Sequence, residues 1–163
     1  MGAPSAALRL LAPLLSTSSY RELMAGYSGT PLATKLGIKD GCRLAVLGAP
    51  EGFVIDDLPA GVEARASARG TSDVIVSFHT SRADLTKRLP TLMRALDVDG
   101  GLWVSWPKRS SGVATDITED VIREVALPTG LVDVKVCAVD DTWSGLRLCL
   151  RKDLRSGRTT AAG

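Results

Sequence analysis

Three cysteines, Cys42, Cys137 and Cys149, are all that the chain contains. Their number is odd and their spacing matches no metal-ligand pattern, which excludes a disulfide framework and a zinc site and fits a reducing cytoplasm. No apolar run is long enough to span a bilayer. The run within residues 1–23 is interrupted by Arg9 and Pro13, and it lacks the basic stretch that precedes the apolar part of a secretory signal. A basic patch is missing too. The formal net charge is +2, and residues 1–23 and 151–163 hold six of the basic and two of the acidic residues, leaving 14 basic and 16 acidic residues between them. A body with net negative charge offers no footprint for DNA or RNA, whose binding rests on clustered Lys and Arg neutralising phosphates. At 163 residues the chain is too short for a two-domain dehydrogenase or kinase. No intact catalytic signature is present.

What is there reads as one ordinary core, with 45% hydrophobic and 23% charged residues. Residues 1–23 are expected to be a disordered, dispensable extension, an amphipathic Ser-rich transit peptide being the alternative. The ordered domain is expected at 24–152, starting from Met24, with 153–163 a solvated basic tail. Thr30 can cap a short helix with Pro31 at its first position, Leu32, Ala33 and Leu36 on one face and Gly37 after its end. The run Leu44–Leu47, ending in Gly48, reads as a strand buried on both faces and is expected at the sheet centre. The alternating segment VEARASA predicts an edge strand, and SDVIVSFH another buried one.

Ser81 and Asp84 form a capping-box pattern opening a helix with Leu85, Leu89, Leu92, Met93 and Leu96 on one face and a kink at Pro90. Asp99-Gly100-Gly101 is expected to turn the chain into the strand LWVSWPK. Asp116 with Glu119 can cap a helix carrying Ile117, Val121, Ile122 and Val125, stopped by Pro128. LVDVKVCAV and LRLCLRK, joined by DDTWSG, predict an antiparallel hairpin that would bring Cys137 and Cys149 near each other as reduced thiols. Strands alternating with helices imply parallel pairing and right-handed crossovers. The expected fold is α/β: a three-layer sandwich, mostly parallel, with a C-terminal antiparallel hairpin.

GIKDGCRLAVLG before the first strand, DGGLWVSWPK at a later one and the terminal hairpin together resemble the Rossmann-like fold of S-adenosylmethionine-dependent methyltransferases, over residues 30–152. In that family a GxGxG-type loop follows the first strand and an acidic residue ending the second strand holds the ribose hydroxyls. Here the loop reads GAPEGF and the second strand runs into Ala66-Ser67-Ala68-Arg69, so both determinants depart from the pattern. One strand-helix unit is missing between VEARASA and SDVIVSFH, which leaves one side of the sheet thinly covered, a setting for a homodimer contact. The phrases AGYSGTPLATKLGIKDG, APEGF, LWVSWPKRSSG and ALPTGLVDVKVCAVDDTWSGLRL resemble a family of short, mostly actinobacterial proteins classed as a domain of unknown function. That resemblance implies the fold and the Met24 start, and no reaction.

Ligands of open α/β sheets bind outside the carboxyl ends of the parallel strands, which places candidate contacts at Gly48, Ala49, Glu51, Gly52, His79, Trp106 and Lys108. Gly48 and Gly52 allow close backbone approach to a ligand, or serve a tight turn. His79, the only histidine, either lines a small-molecule crevice or is structural. Trp106-Pro107-Lys108-Arg109 could stack a base and hold a phosphate, or form a polar surface loop. Glu51 and Asp116 are further candidate acids, and Trp143 caps the sheet edge or meets a partner. Three readings follow: a non-catalytic Rossmann-like protein binding a nucleotide-like ligand or a protein partner at this edge; a methyltransferase holding S-adenosylmethionine with an atypical loop; or an interaction module with an exposed apolar patch around Phe53, Val54 and Ile55.

Overall fold

The computed structural model of the protein describes residues 30–155; residues 1–23, and with them the expectations about the extension and the Met24 start, lie outside that range. The described elements are α1 (Leu32–Lys35), β1 (Arg43–Leu47), β2 (Glu63–Arg65), β3 (Ser72–Phe78), α2 (Arg82–Ala95), β4 (Leu96–Pro107), α3 (Glu119–Ala126), β5 (Leu131–Ala138), β6 (Trp143–Leu150) and α4 (Lys152–Arg155). Six strands form one sheet in the order β2-β1-β3-β4-β6-β5. The first four run parallel, and β6 is antiparallel to both β4 and β5. This is the expected α/β sandwich with its C-terminal hairpin, and β2 is the edge strand that VEARASA predicted.

Side-chain alternation divides the core between the two faces of the sheet. Leu47, Ile75, Leu102, Val104, Leu146 and Leu148 are buried against α2 and α3, through Leu85, Leu89, Leu92 and Ile122. Leu44, Val74, Val76, Phe78 and Trp103 are buried on the other face, against α1 and the Phe53–Ile55 segment. α2 forms where Ser81 accepts a hydrogen bond from the Asp84 N–H at 3.2 Å. Its Leu85, Leu89 and Leu92 recur at helical spacing, and Pro90 is accommodated inside the helix on its exposed side. On the opposite face, the indole N–H of fully buried Trp103 donates to the Leu36 carbonyl at 2.9 Å, fixing the end of α1 to the sheet.

Several expectations are corrected. β1 lies second from the edge, not at the centre; its two-sided burial arises because β2 covers one of its edges and both faces are packed. Pro31 is the N-cap of α1, and no side chain caps that helix. Asp99-Gly100-Gly101 is not a turn: α2 passes directly into the twelve-residue β4. Its pairing with β3 shifts between Ser72↔Leu96 and Val74↔Gly101, so the extra residues are absorbed as an irregularity within the strand. Thr118, not Asp116, caps α3, accepting from the Val121 N–H at 3.2 Å. Asp116 accepts from the Arg82 N–H at 2.7 Å instead. Cys137 pairs with Gly145 and Cys149 with Val132, four residues further along β6, so the two thiols are not neighbours. Residues 153–155, expected in the solvated tail, belong to the helical turn Lys152–Arg155, whose Leu154 packs on the core beside Gly130, and the rest of the expected tail lies outside the described residues.

Trp103→Phe keeps most of the buried volume but leaves the Leu36 carbonyl without its buried donor, so it should cost about 1–3 kcal/mol of unfolding free energy in urea titration. A loss below about 0.5 kcal/mol, the range of ordinary surface substitutions, would show that the bond does not hold α1.

Candidate functional site

The carboxyl ends of β1, β3 and β4 meet along one rim. Gly48 follows β1 at φ +70, and a Cβ there would lie 3.0 Å from the Phe78 carbonyl oxygen. Glycine therefore lets the end of β1 approach the end of β3. The loop closes with the Phe53 N–H donating to the Pro50 carbonyl at 3.1 Å, and Phe53 sets its ring edge-on to Phe78 with centroids 4.8 Å apart. Phe78 in turn meets Trp143 edge-on at 5.0 Å, so Trp143 is packing, closing the rim on the α1 face. Of Phe53, Val54 and Ile55 only Val54 is exposed; the other two pack on the core, so they form no apolar patch.

The seven candidate residues converge through their backbones and diverge through their side chains. Gly48, Ala49, Glu51 and Gly52 lie exposed on the rim. The His79 N–H donates to the Ser105 carbonyl at 2.9 Å, and the Lys108 N–H to that of Thr142 at 2.7 Å. Trp106 is buried among the α2 and α3 contacts, so its ring presents no open face for stacking. His79 is buried as well.

His79 sits in a hydrogen-bonded chain that residue spacing did not disclose. Its Nε2 is 2.5 Å from Ser77 Oγ and its Nδ1 is 2.8 Å from Asp84 Oδ2. With an ionised Asp84 accepting from Nδ1–H, the bare Nε2 accepts from the Ser77 hydroxyl. Serine, imidazole and carboxylate stand in the order used for acyl transfer. Ser77 is fully enclosed, however, and no substrate carbonyl can reach it. The chain instead satisfies a buried imidazole and ties β3 to the first turn of α2. Burial pushes the His79 pKa down against the opposing pull of Asp84, so the ring is neutral at pH 7. Asp84 is held below the usual carboxylate range chiefly by its hydrogen bond from His79.

Asp84, its side chain 44% exposed, is where this chain meets solvent. It lines a groove of about 410 Å³ between the end of β2 and α2, floored by Leu47 and Leu92 and walled by Ala66–Ala68 on one side and Lys87, Arg88 and Thr91 on the other. The groove is open because no helix lies between β2 and β3 to cover this side of Leu47. Sequence reasoning missed Ser67, Asp84, Lys87 and Arg88. Asp84 was read as a cap, and its N–H does bond Ser81, but its carboxylate turns back five residues to His79 instead of reciprocating. Among the described residues no cluster of His, Cys, Asp and Glu could hold a metal, and no helix is long and apolar enough to cross a membrane.

The fold is that of Rossmann-like methyltransferases. A SAM-dependent methyltransferase from Aquifex aeolicus superimposes at TM-score 0.56 with 14% identity, covering 93% of this chain and 100% of its own. The TehB-like SAM-dependent methyltransferase of Corynebacterium glutamicum does so at TM-score 0.52 with 13% identity, over 91% and 100%. The magnesium protoporphyrin IX methyltransferase of Synechocystis, solved with bound SAH, does so at 0.53 with 10% identity, over 84% and 89%. At such identities the likeness is one of fold alone. The chain belongs to the family described as protein of unknown function (DUF3052), matched over residues 61–152. No curated protein matches it.

A histidine whose folded pKa lies below its unfolded value of about 6.5 binds fewer protons when folded. Its stabilising contribution is complete above that pH and is lost as the pH falls toward the folded value; Asp84 adds a loss of the same sign at lower pH. Unfolding free energy should therefore fall as the pH is lowered from 7 to 5, and His79→Gln should flatten that slope. A slope unchanged in the variant would show that His79 is not the titrating group.

Proposed function

We propose that this protein binds a small nucleoside-like ligand, without turning it over, in the groove between the end of β2 and α2. The observation that carries the reading is Asp84: a groove-lining carboxylate, kept ionised and oriented by the buried His79 behind it. A carboxylate so held suits a pair of ribose hydroxyls, the role that an acid ending the second strand has in the methyltransferases this chain resembles. Leu47, Leu92 and the Ala66–Ala68 wall offer apolar surface to a base, and Ser67 a hydrogen-bonding hydroxyl. Turnover is not part of the reading, because the side chains arranged for proton transfer, Ser77 and His79, face inward.

The full-length superposition on methyltransferases supports a second reading, in which the ligand is S-adenosylmethionine. For its nucleoside half the groove offers the Asp84 carboxylate and the apolar floor of Leu47 and Leu92. The loop beyond Gly48 fits the amino-acid half poorly, since Pro50 has no N–H to donate to a carboxylate. When bound, that cofactor would supply an activated methyl group, and Asp84 and Ser67 would be the residues holding its ribose.

Thermal unfolding of the full chain with adenosine, S-adenosylhomocysteine and S-adenosylmethionine separates the readings. A ligand at about 100 times its Kd adds roughly 2.7 kcal/mol, several degrees for a domain of this size. Stabilisation by all three, reduced in Asp84→Asn and in Ser67→Val, is the expected outcome. Stabilisation by S-adenosylmethionine and S-adenosylhomocysteine but not adenosine would favour the cofactor reading, and none by any would refute both and turn attention to a protein partner.

A further inference from the structure

The opposite end of the sheet holds a second concavity, of about 470 Å³, that the function proposed above does not use. It lies on the α1 face, toward the amino ends of β1 and β3, between the end of α1 and the β4-β6-β5 ribbon. Four cations line it: Lys35 and Lys39 from α1 and the turn after it, Lys135 from β5 and Arg147 from β6. Lys135 and Arg147 are direct cross-strand partners on the antiparallel ladder, an arrangement in which like charges repel.

None of the four pairs with a carboxylate among the described residues. Of the lining acids, Asp73 is taken by Arg43, which holds it through Nε at 3.0 Å and Nη2 at 2.8 Å. Asp40 and Asp99 remain, so the basin carries more positive than negative charge.

Arg147 is the most unusual member. Its Nε is buried and has no hydrogen-bond partner. The guanidinium lies flat against Gly101, where a Cβ would stand 2.5 Å from Nε and 2.9 Å from Nη2. Glycine at 101 is thus what allows a cation to rest on the sheet here. Lys135 places its ammonium 6.0 Å from the centre of the Trp103 ring, and with Lys35 it comes close enough to Cys137 to oppose the upward push that burial gives that thiol. Lys35, Lys39, Lys135 and Arg147 therefore line one basin, and the buried Nε of Arg147, a donor without an acceptor, calls for an explanation.

We propose that this basin binds a small doubly charged oxyanion, with Arg147 as its anchor and Lys135 beside it. The chemistry shared by a phosphate monoester and a dicarboxylate is the one required: oxygen acceptors close enough together to meet the guanidinium and an ammonium at once. The ligand would relieve the repulsion between Lys135 and Arg147 and give the guanidinium the anionic partner it lacks among the described residues. The proposal stands apart from the Asp84 groove, which lies at the other end of the strands.

The Arg147 side-chain Nε–H resonance, assigned by through-bond correlation in the labelled full chain, reads the contact directly. It is titrated at constant ionic strength with inorganic phosphate and, separately, with malonate. The expected result is a saturable shift of that resonance in one or both, with an affinity about tenfold weaker in Lys135→Gln, equivalent to about 1.4 kcal/mol. A shift with phosphate alone assigns the phosphate class, and one with malonate alone the dicarboxylate class. A resonance that moves no further in either than in chloride, or an affinity unchanged in Lys135→Gln, would overturn the proposal.

Discussion

One strand sets the terms for the rest of the structure. β4 runs twelve residues between neighbours of opposite direction, parallel to β3 and antiparallel to β6, and must satisfy the backbone groups on both of its sides. It starts directly from α2 without a connecting loop, so its first half cannot keep a regular register with β3. Gly100 absorbs the misfit; a Cβ there would stand 2.6 Å from the Asp73 carbonyl oxygen. Gly101 leaves room for the Arg147 guanidinium. Beyond these glycines the strand alternates, Leu102, Val104 and Trp106 facing α2 and α3 while Trp103 faces α1 and holds it by its indole N–H. The two cores, the placement of α1 and the basic basin follow from where this strand lies.

The parts of the fold that were legible are those specified by neighbours in sequence. Leu85, Leu89 and Leu92 at helical spacing behind Ser81 define α2. The two apolar runs flanking DDTWSG define the hairpin, and the glycine after Leu47 marks the end of β1. The errors share a cause: a local pattern whose purpose is non-local. Asp99-Gly100-Gly101 has turn composition, but its glycines answer to Asp73 and Arg147, residues distant in the chain. Asp116 looked like a cap, but its carboxylate serves Arg82, 34 residues away. Position within the sheet was legible only in part, because a strand buried on both faces can stand second from the edge as well as at the centre.

The candidate site was legible as a place more than as a set of side chains. The strand ends after Leu47, Phe78 and Pro107 do meet, as an open parallel sheet requires. Which side chains face outward there depends on the pleat. Ser77 and His79 share a direction, toward α2, and Asp84 meets them from the first turn of that helix. Burial then makes His79 a neutral connector between a serine and a carboxylate and leaves Asp84 as the group that touches solvent. No helix lies between β2 and β3, and that short connection leaves the groove over Leu47 open.

The account rests on the groove being the binding surface at the carboxyl end of the sheet. Backbone amide shift mapping of the full chain with S-adenosylhomocysteine tests this most directly. Saturable shifts confined to Ala66–Ala68, Asp84 and the facing turn of α2 are the expected result. Shifts centred on Lys35–Cys42 at the other end of the strands, or none anywhere, would contradict it.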